Sequence, residues 1–494
     1  MTTQGAVLLG LLIYGVVMLG ISIFWMRRVR KPTDYLVGGR SLPTWVLAGN
    51  VTAGSIGTGV IIGASGLAYL HGWAGSAYPI GLGLGTALAG IMFAVMRRHK
   101  FMTLSEEIAS YYENKRIVVE FSSITLFLSQ LCWLTVQIMG GASVIAAVTG
   151  LSPAISVVVA GLITAAIAIP GGFKSVVYTD FLQAAILLTG FIVMTVVALQ
   201  SSGGIIGLQR AVPHAYFSFL GVSSYGSWKI AGLIAALSLS VLADPGRRLS
   251  IYGSRSEGGA RASMVIAGIT VIMFSGIIGI SGMYAFHLDP NLHSPDEALL
   301  WLVMNILPLW LAALVVVSIT SGIFSCANGN AMAVSSFFVR HIFPLATGRY
   351  PKRPLLTARL SLVVAFAFCT VVAVHAGTIV GFVVKFLPVT MGGLAIIVVL
   401  GRFWKRSTWQ GALAAEVVTP VVSLTVMFLF PNSAFNNAVL LAVPGVIVLV
   451  VVSFMTPPPS RTFNEVAEAL TREREAIEGR DAEQIGKVVV ETGE

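Results

Sequence analysis

The sequence has 494 residues, with 31 Lys and Arg against 21 Asp and Glu, a formal charge of +10, 56% hydrophobic residues and only 11% charged ones. Soluble domains carry about a quarter charged residues. At a mean hydropathy of +0.87 this chain cannot cover its own surface in water, which excludes a soluble enzyme and a nucleic-acid binder.

A bilayer core of about 30 Å needs about 20 apolar residues per helix. That rule predicts thirteen spans, over residues 5–26, 44–70, 74–96, 119–148, 152–169, 174–199, 226–246, 261–286, 308–340, 355–375, 378–400, 409–430 and 436–455. The first reads as a span and not a cleaved leader, because its charges follow it. Basic clusters follow every second span, beginning with Arg27, Arg28, Arg30, Lys31 and Arg40, and 28 of the 31 Lys and Arg residues fall on one side. The positive-inside rule then sets the N-terminus outside and the C-terminus in the cytoplasm, in the cell membrane. The expected organisation is a transmembrane unit over 1–456 and a charged cytoplasmic tail over 457–494. Pro457, Pro458 and Pro459 end the last helix, and 463–477 has helical apolar spacing among Glu and Arg. A solvated tail helix is expected, with a regulatory partner-binding helix as the alternative. The lipid bilayer is the only macroscopic partner indicated; no protein partner is.

Chemistry in hydrocarbon concentrates where a helix cannot run smoothly, because freed backbone must line a cavity or be buried. In span two, Ala48 to Gly59 holds four glycines among hydroxyl and β-branched residues, a poor continuous helix. Unwound, it offers carbonyls near the midplane; packed, it is a small-residue contact. Asp180 opens span six, and a carboxylate there is a functional candidate, with pairing to nearby Lys174 as the structural alternative. Ser318 to Asn330 in span nine crowds hydroxyls and amides into an apolar helix, with Gly322 and Ser325 on one face. Oxygens on that face, with carbonyls opposite, suit a hard monovalent cation; hydrogen bonding between helices is the alternative. Glu120, Glu416 and His375 look structural or interfacial, Lys229 a snorkelling residue, and Lys385 deep enough to meet an anion or an acid. The cysteines Cys132, Cys326 and Cys369 show no disulfide or zinc spacing.

Three blocks resemble the sodium:solute symporter family: Asp34 to Pro43, Gly171 to Gln183 with its Tyr178-Thr179-Asp180, and Ser325 to Asn330. The resemblance implies an all-α membrane protein with the leucine-transporter fold. In it, inverted five-helix repeats over about 44–199 and 226–400 carry discontinuous spans two and seven. It also implies a sodium site made by the Ala53, Ile56 and Gly322 carbonyls, Ser325 Oγ and the position of Cys326. At that last position the family usually carries a hydroxyl, and thiol sulfur is a soft, poor sodium ligand. Asp180 and Asn328 become accessory ion or coupling residues. Sugar-transporting members place polar and acidic side chains where this chain has Gly57, Gly59, Val60 and Pro79, so sugar is not the expected solute. The expected solute pocket is framed by Gly57, Thr58, Tyr78, Gln137, Ala235 and Ser238. The Asp244-Pro245-Gly246-Arg247-Arg248 turn could attract an anion or simply be a positive-inside loop.

Together these features point to a secondary symporter driven by sodium and carrying a small organic solute. A proton-coupled transporter of the same fold and a non-transporting membrane sensor are the alternatives. No catalytic residues are assigned, and no Gly-x4-Gly-Lys-Ser/Thr loop is present to power a pump with nucleotide.

Overall fold

The computed structural model describes residues 3–28, 32–292, 294–376, 392–429 and 438–473. The expected eleventh span and Lys385 fall largely or wholly outside that set. Among the described residues the protein is built of helices, with one isolated bridge, Leu42 to Ser254, and no strand. Nine helices there are long and apolar enough to cross a bilayer, or ten if one bent pair counts as a single span. The outer surface is apolar: Leu12, Val16, Leu162 and Val364 are each about two-thirds exposed, as a lipid-facing belt requires.

In chain order the principal helices are α1 (Thr3–Met26), α2 (Thr44–Ala53), α3 (Ser65–His71), α4 (Ala77–Phe93), α5 (Leu104–Tyr111), α6 (Arg116–Thr149), α7 (Pro153–Ser201), α8 (Ser227–Leu242), α9 (Pro245–Gly253), α10 (Glu257–Leu288), α11 (Leu309–Phe337), α12 (Pro354–His375), α13 (Trp409–Leu429) and α14 (Ala438–Met455). Span two is interrupted. α2 stops at Ala53, and helix resumes only at Gly59, through a π-turn that leads into α3. Span seven is α8 and α9, bent by 47° at Ala243–Asp244. Asp244 caps α9 by accepting the Arg247 amide, a favourable helix start.

α7 holds both the fifth and sixth expected spans, reversing at Gly172 with φ of 64° beyond Pro170. The carbonyls freed by this break find donors. Tyr35 Oη donates to the Ile169 carbonyl at 2.8 Å and Arg359 Nη2 to the Pro170 carbonyl at 3.2 Å, the compensation that apolar surroundings demand.

α4 packs against α8 and α10 with almost no side chain between them. A Cβ on Gly83 would sit 2.5 Å from the Gly268 carbonyl oxygen, and one on Gly85 2.5 Å from the Ser238 carbonyl oxygen. Such small-residue contacts let membrane helices approach closely. On the other side α7 and α11 pack together, and α1 lies across both. At the arginine-rich end, α2 and α9 are tied by Asn50 Nδ2 donating to Ser250 Oγ at 2.9 Å.

Two expectations change at that end. Arg248 is not a loop charge: it is fully buried, 3.3 Å from Glu107 and stacked 3.7 Å over the Phe93 ring centroid. The tail helix, over 463–473, is docked instead of solvated. Phe463 stacks on Tyr111 at 5.6 Å, meets His99 edge-on at 5.0 Å and lies under the Arg402 guanidinium, while Val466 and Ala467 are buried.

Candidate ion and solute site

The interrupted helix and α11 meet backbone to backbone. Gly322 faces the Ile56 carbonyl, and a Cβ added there would lie 2.3 Å from that oxygen. Cys326 Sγ donates to the Ala53 carbonyl at 3.5 Å. Ser325 is fully buried, and its hydroxyl faces Asp180 without a well-formed hydrogen bond. Ala53, Ile56, Gly322 and Cys326 thus share one seam, with Ser325 one turn along from Gly322 on the same helix face.

Asp180 sits on the other side of Ser325. It is buried to 1% exposure and faces both Ser325 and Asn328. Asp180 Oδ1 and both Asn328 amide atoms are buried without partners. Lys174 does not pair with Asp180; its ammonium lies 5.2 Å over the Trp25 ring centroid. The chamber continues to residues not singled out from the sequence. Ser321 Oγ faces the Tyr14 hydroxyl without a well-formed hydrogen bond, Gln183 Oε1 is orphaned, and Gln183 Nε2 donates to Tyr14 Oη at 2.5 Å. Tyr14 belongs to α1, so the first helix closes the chamber on that side. Nothing in its sequence ranked this tyrosine above the rest of an apolar helix.

An unpartnered buried polar group costs about 1–3 kcal/mol, so several in one place describe a binding chamber. Its atoms are almost all oxygens, and no cluster of three His, Cys, Asp or Glu side chains occurs among the described residues. Hard oxygen donors without imidazole or thiolate sets suit an alkali cation rather than a transition metal. Of the remaining acids, Glu416 accepts from Ser122 Oγ at 2.9 Å and Glu120 pairs with Arg116 on the surface. Lys229 lies over Tyr225, and the exposed His375 bonds the Val371 carbonyl.

A cavity opens beside the seam, lined by Gly57, Tyr78 and Gln137 as the sequence suggested, and also by Ser55, Trp133, Asp244, Arg247 and Asn330. Thr58 does not line it. Its amide and hydroxyl both donate to Gln137 Oε1, at 3.1 and 2.8 Å, and so aim the Gln137 side chain. Ala235 and Ser238 are absent from the wall as well; the Ser238 hydroxyl is committed to the Gly81 carbonyl. Leu237, Ser240 and Val241 of α8 stand there instead. The helix face is rotated from the expected one because α4 occupies the Ser238 side. A second, adjoining cavity toward the arginine-rich end is lined by Asn50, Asp180, Ser250 and again Asp244, Arg247 and Cys326. Arginine in the wall is the residue that sequence reasoning left undecided, although its place directly after an apolar run was the available signal.

With this geometry in view, the sodium:solute symporter family model matches residues 35–419. The chain belongs to the sodium:solute symporter family. It is 24% identical over 442 residues to the sodium/pantothenate symporter of Escherichia coli (strain K12), covering 85% of this chain and 90% of the relative. The sodium/pantothenate symporter of Haemophilus influenzae is 23% identical, covering 83% and 88%. A sodium-coupled sialic acid symporter in a substrate-bound, outward-open state superposes with a TM-score of 0.82 at 18% identity, covering 93% of this chain and 98% of the other. That likeness gives the fold, the leucine-transporter fold expected from the sequence. As a member of the family, the protein is a multi-pass membrane transporter that uses sodium as its coupling ion.

Proposed function

We propose that the protein couples inward sodium movement to uptake of a small organic solute by alternating access. In this reading it has thirteen spans, with the N-terminus outside and the arginine-rich end in the cytoplasm. The repeats run over about 44–199 and 226–400, and 457–494 forms a cytoplasmic tail whose helix over 463–473 docks on the transmembrane unit. The Ala53, Ile56 and Gly322 carbonyls, Ser325 Oγ and Cys326 hold one sodium, with Asp180 and Asn328 forming an accessory ion or coupling site. Gly57, Tyr78 and Gln137 face the solute, and Thr58 positions Gln137. The observation that carries this reading is the chamber of buried polar oxygens, among them Ser325 Oγ and Asp180 Oδ1, between α7 and α11, directly beside the seam that α11 makes with the interrupted helix.

The energetics are sufficient. One charge crossing 100 mV supplies about 2.3 kcal/mol, and a tenfold sodium gradient adds about 1.4 kcal/mol. Together they sustain a solute gradient of roughly 500-fold per sodium. Ion occupancy favours the arrangement in which the chamber oxygens converge, and that arrangement completes the adjoining solute wall; a change in their spacing then opens both to the cytoplasm.

Thermal stability of the purified protein in NaCl against KCl at equal ionic strength tests the ion site. Sodium at about 100 times its dissociation constant stabilises by about 2.7 kcal/mol. Ser325→Ala and Asp180→Asn should each reduce that gain. Identical melting in both salts would remove the sodium site from this chamber.

A further inference from the structure

Resting on that symport reading, we infer that the solute is a small organic carboxylate, and that Arg247 is the side chain that reads its carboxylate.

Two acceptors in the cavity wall are already engaged within the protein. Asp244 is the acid of this wall, and both its oxygens are held by Arg247. Oδ1 accepts the Arg247 amide at 3.0 Å and Oδ2 accepts Nη1 at 2.9 Å. Its charge therefore serves to orient and neutralise one side of the guanidinium, with each oxygen already engaged by Arg247. The Gln137 oxygen is likewise committed to Thr58, so the half of that amide left over is its NH2. The Trp133 indole can only donate.

Arg247 is the mirror case. Its side chain is 13% exposed, and it lines both adjoining cavities. Of its donors, Nη1 is fixed on Asp244, Nη2 has a single neutral partner in Ser55 Oγ at 3.1 Å, and Nε is buried with none. Nε and Nη2 share one edge of the guanidinium plane. A carboxylate takes two parallel hydrogen bonds from such an edge, which neither a hydroxyl nor an amide can match. Displacing Ser55 strands nothing, because that hydroxyl already donates to the Val51 carbonyl at 2.6 Å. The solute that complements this wall is rich in acceptors and negatively charged at one end. Its other end meets Val60, Leu82, Leu237 and Val241, so its body is apolar.

Position adds a consequence. Ser55 belongs to the interruption of span two and Asp244 to the bend of span seven, so Arg247 bridges the two breaks. A carboxylate that takes the Nε–Nη2 edge from Ser55 loosens that bridge from the α2 side. The arginine both recognises the solute and reports its arrival to the helix that holds the ion.

The test uses the purified full chain in sodium buffer. Melting is followed against propionate, lactate, benzoate and pantothenate, each beside its uncharged partner, the amide for the first three and pantothenol for the last. The expected result is stabilisation by at least one acid and none by its neutral partner. Arg247→Lys should raise the acid concentration needed by about tenfold, because an ammonium cannot offer the two-pronged edge. Arg247→Gln should abolish the response. Equal stabilisation by an acid and its neutral partner, no response to any acid, or an Arg247→Gln protein that keeps the acid response would overturn the inference. The wild-type comparison of acid with neutral partner decides it even if the variants do not fold. Sodium against potassium without solute reads the symport proposal separately: a sodium response without an acid response sinks the carboxylate alone.

Discussion

Cys326 is the residue at which the proposed cation cradle departs from an all-oxygen shell. Its sulfur lies 3.5 Å from the Ala53 carbonyl, where a hydroxyl would supply a harder donor. Cys326→Ser is therefore expected to lower the sodium concentration for half-maximal thermal stabilisation severalfold; an unchanged midpoint would place the ion away from this side chain. Gly322→Ala should act in the opposite direction. Its new methyl would meet the Ile56 oxygen at 2.3 Å, and a backbone oxygen cannot swing aside as a side chain can. Overpacking of this kind costs about 1–3 kcal/mol, and the variant should melt earlier and lose its sodium response. The shared face of Gly322 and Ser325 was legible from the chain, because a three-residue spacing puts them on one side of any helix, whereas Cys326 was reached only through the family resemblance. Tyr14 was not legible, and for Arg247 an anion-attracting role and a plain positive-inside loop stayed equally open. Their roles depend on which helix is laid over which, and a single apolar span carries no record of its neighbour. Ser238 failed for the related reason that periodicity gives a helix its faces but not the direction each one points.

At the scale of an element, the tail helix is the clearest case of composition misleading. Its Glu and Arg content reads as solvated, yet Phe463, Val466 and Ala467 form a short stripe at i, i+3 and i+4 that is enough to dock it. The approach to that helix is pinned by Glu113, which accepts from the Ser460 hydroxyl and from the Ser460 and Arg461 amides. Burial pushes the Glu113 carboxyl up, but those hydrogen bonds and the nearby Lys115 ammonium together hold it below the usual carboxylate range. A group depressed in the folded state contributes stability above its unfolded pKa, and that contribution fades as pH falls through the lower folded value. Tail docking should accordingly be complete at neutral pH and weaken on acidification below the ordinary glutamate range. Protease cleavage within 460–473 should rise over that interval in the wild type. In Glu113→Gln it should already be raised at neutral pH and change little on acidification. Phe463→Ala should expose the same segment at every pH.

Across the whole molecule, two adjacent acids on α5 reach in different directions. Glu107 holds Arg248 of α9, together with the Tyr111 and Tyr252 hydroxyls, whereas Glu106 holds Arg340 beyond the end of α11 at 2.9 Å. α5 thus bridges the glycine-welded group of α4, α8 and α10 and the group of α7 and α11. Removing one partner of a buried pair leaves the other charge stranded, at about 3–5 kcal/mol. Glu107→Gln should destabilise the fold by about that much, read as a lower melting temperature, and the double variant Glu107→Gln with Arg248→Met should recover part of the loss. A double variant no better than the single one would mean that the tyrosines, not the ion pair, carry the lock. The all-helical membrane fold was legible because hydropathy and the placement of arginines are properties of the chain itself; this bridge was not, because Glu106 and Glu107 lie in a short segment too polar to be counted as a span. One wall residue carries a different consequence. Of the nine tryptophans in the sequence, Trp133 lines the proposed solute cavity, whereas Trp45, Trp228 and Trp310 face outward at 53–60% exposure. A chain keeping that indole and bearing phenylalanine at the other eight positions would hold its own optical probe, and its emission colour would follow each cargo molecule in and out without a label.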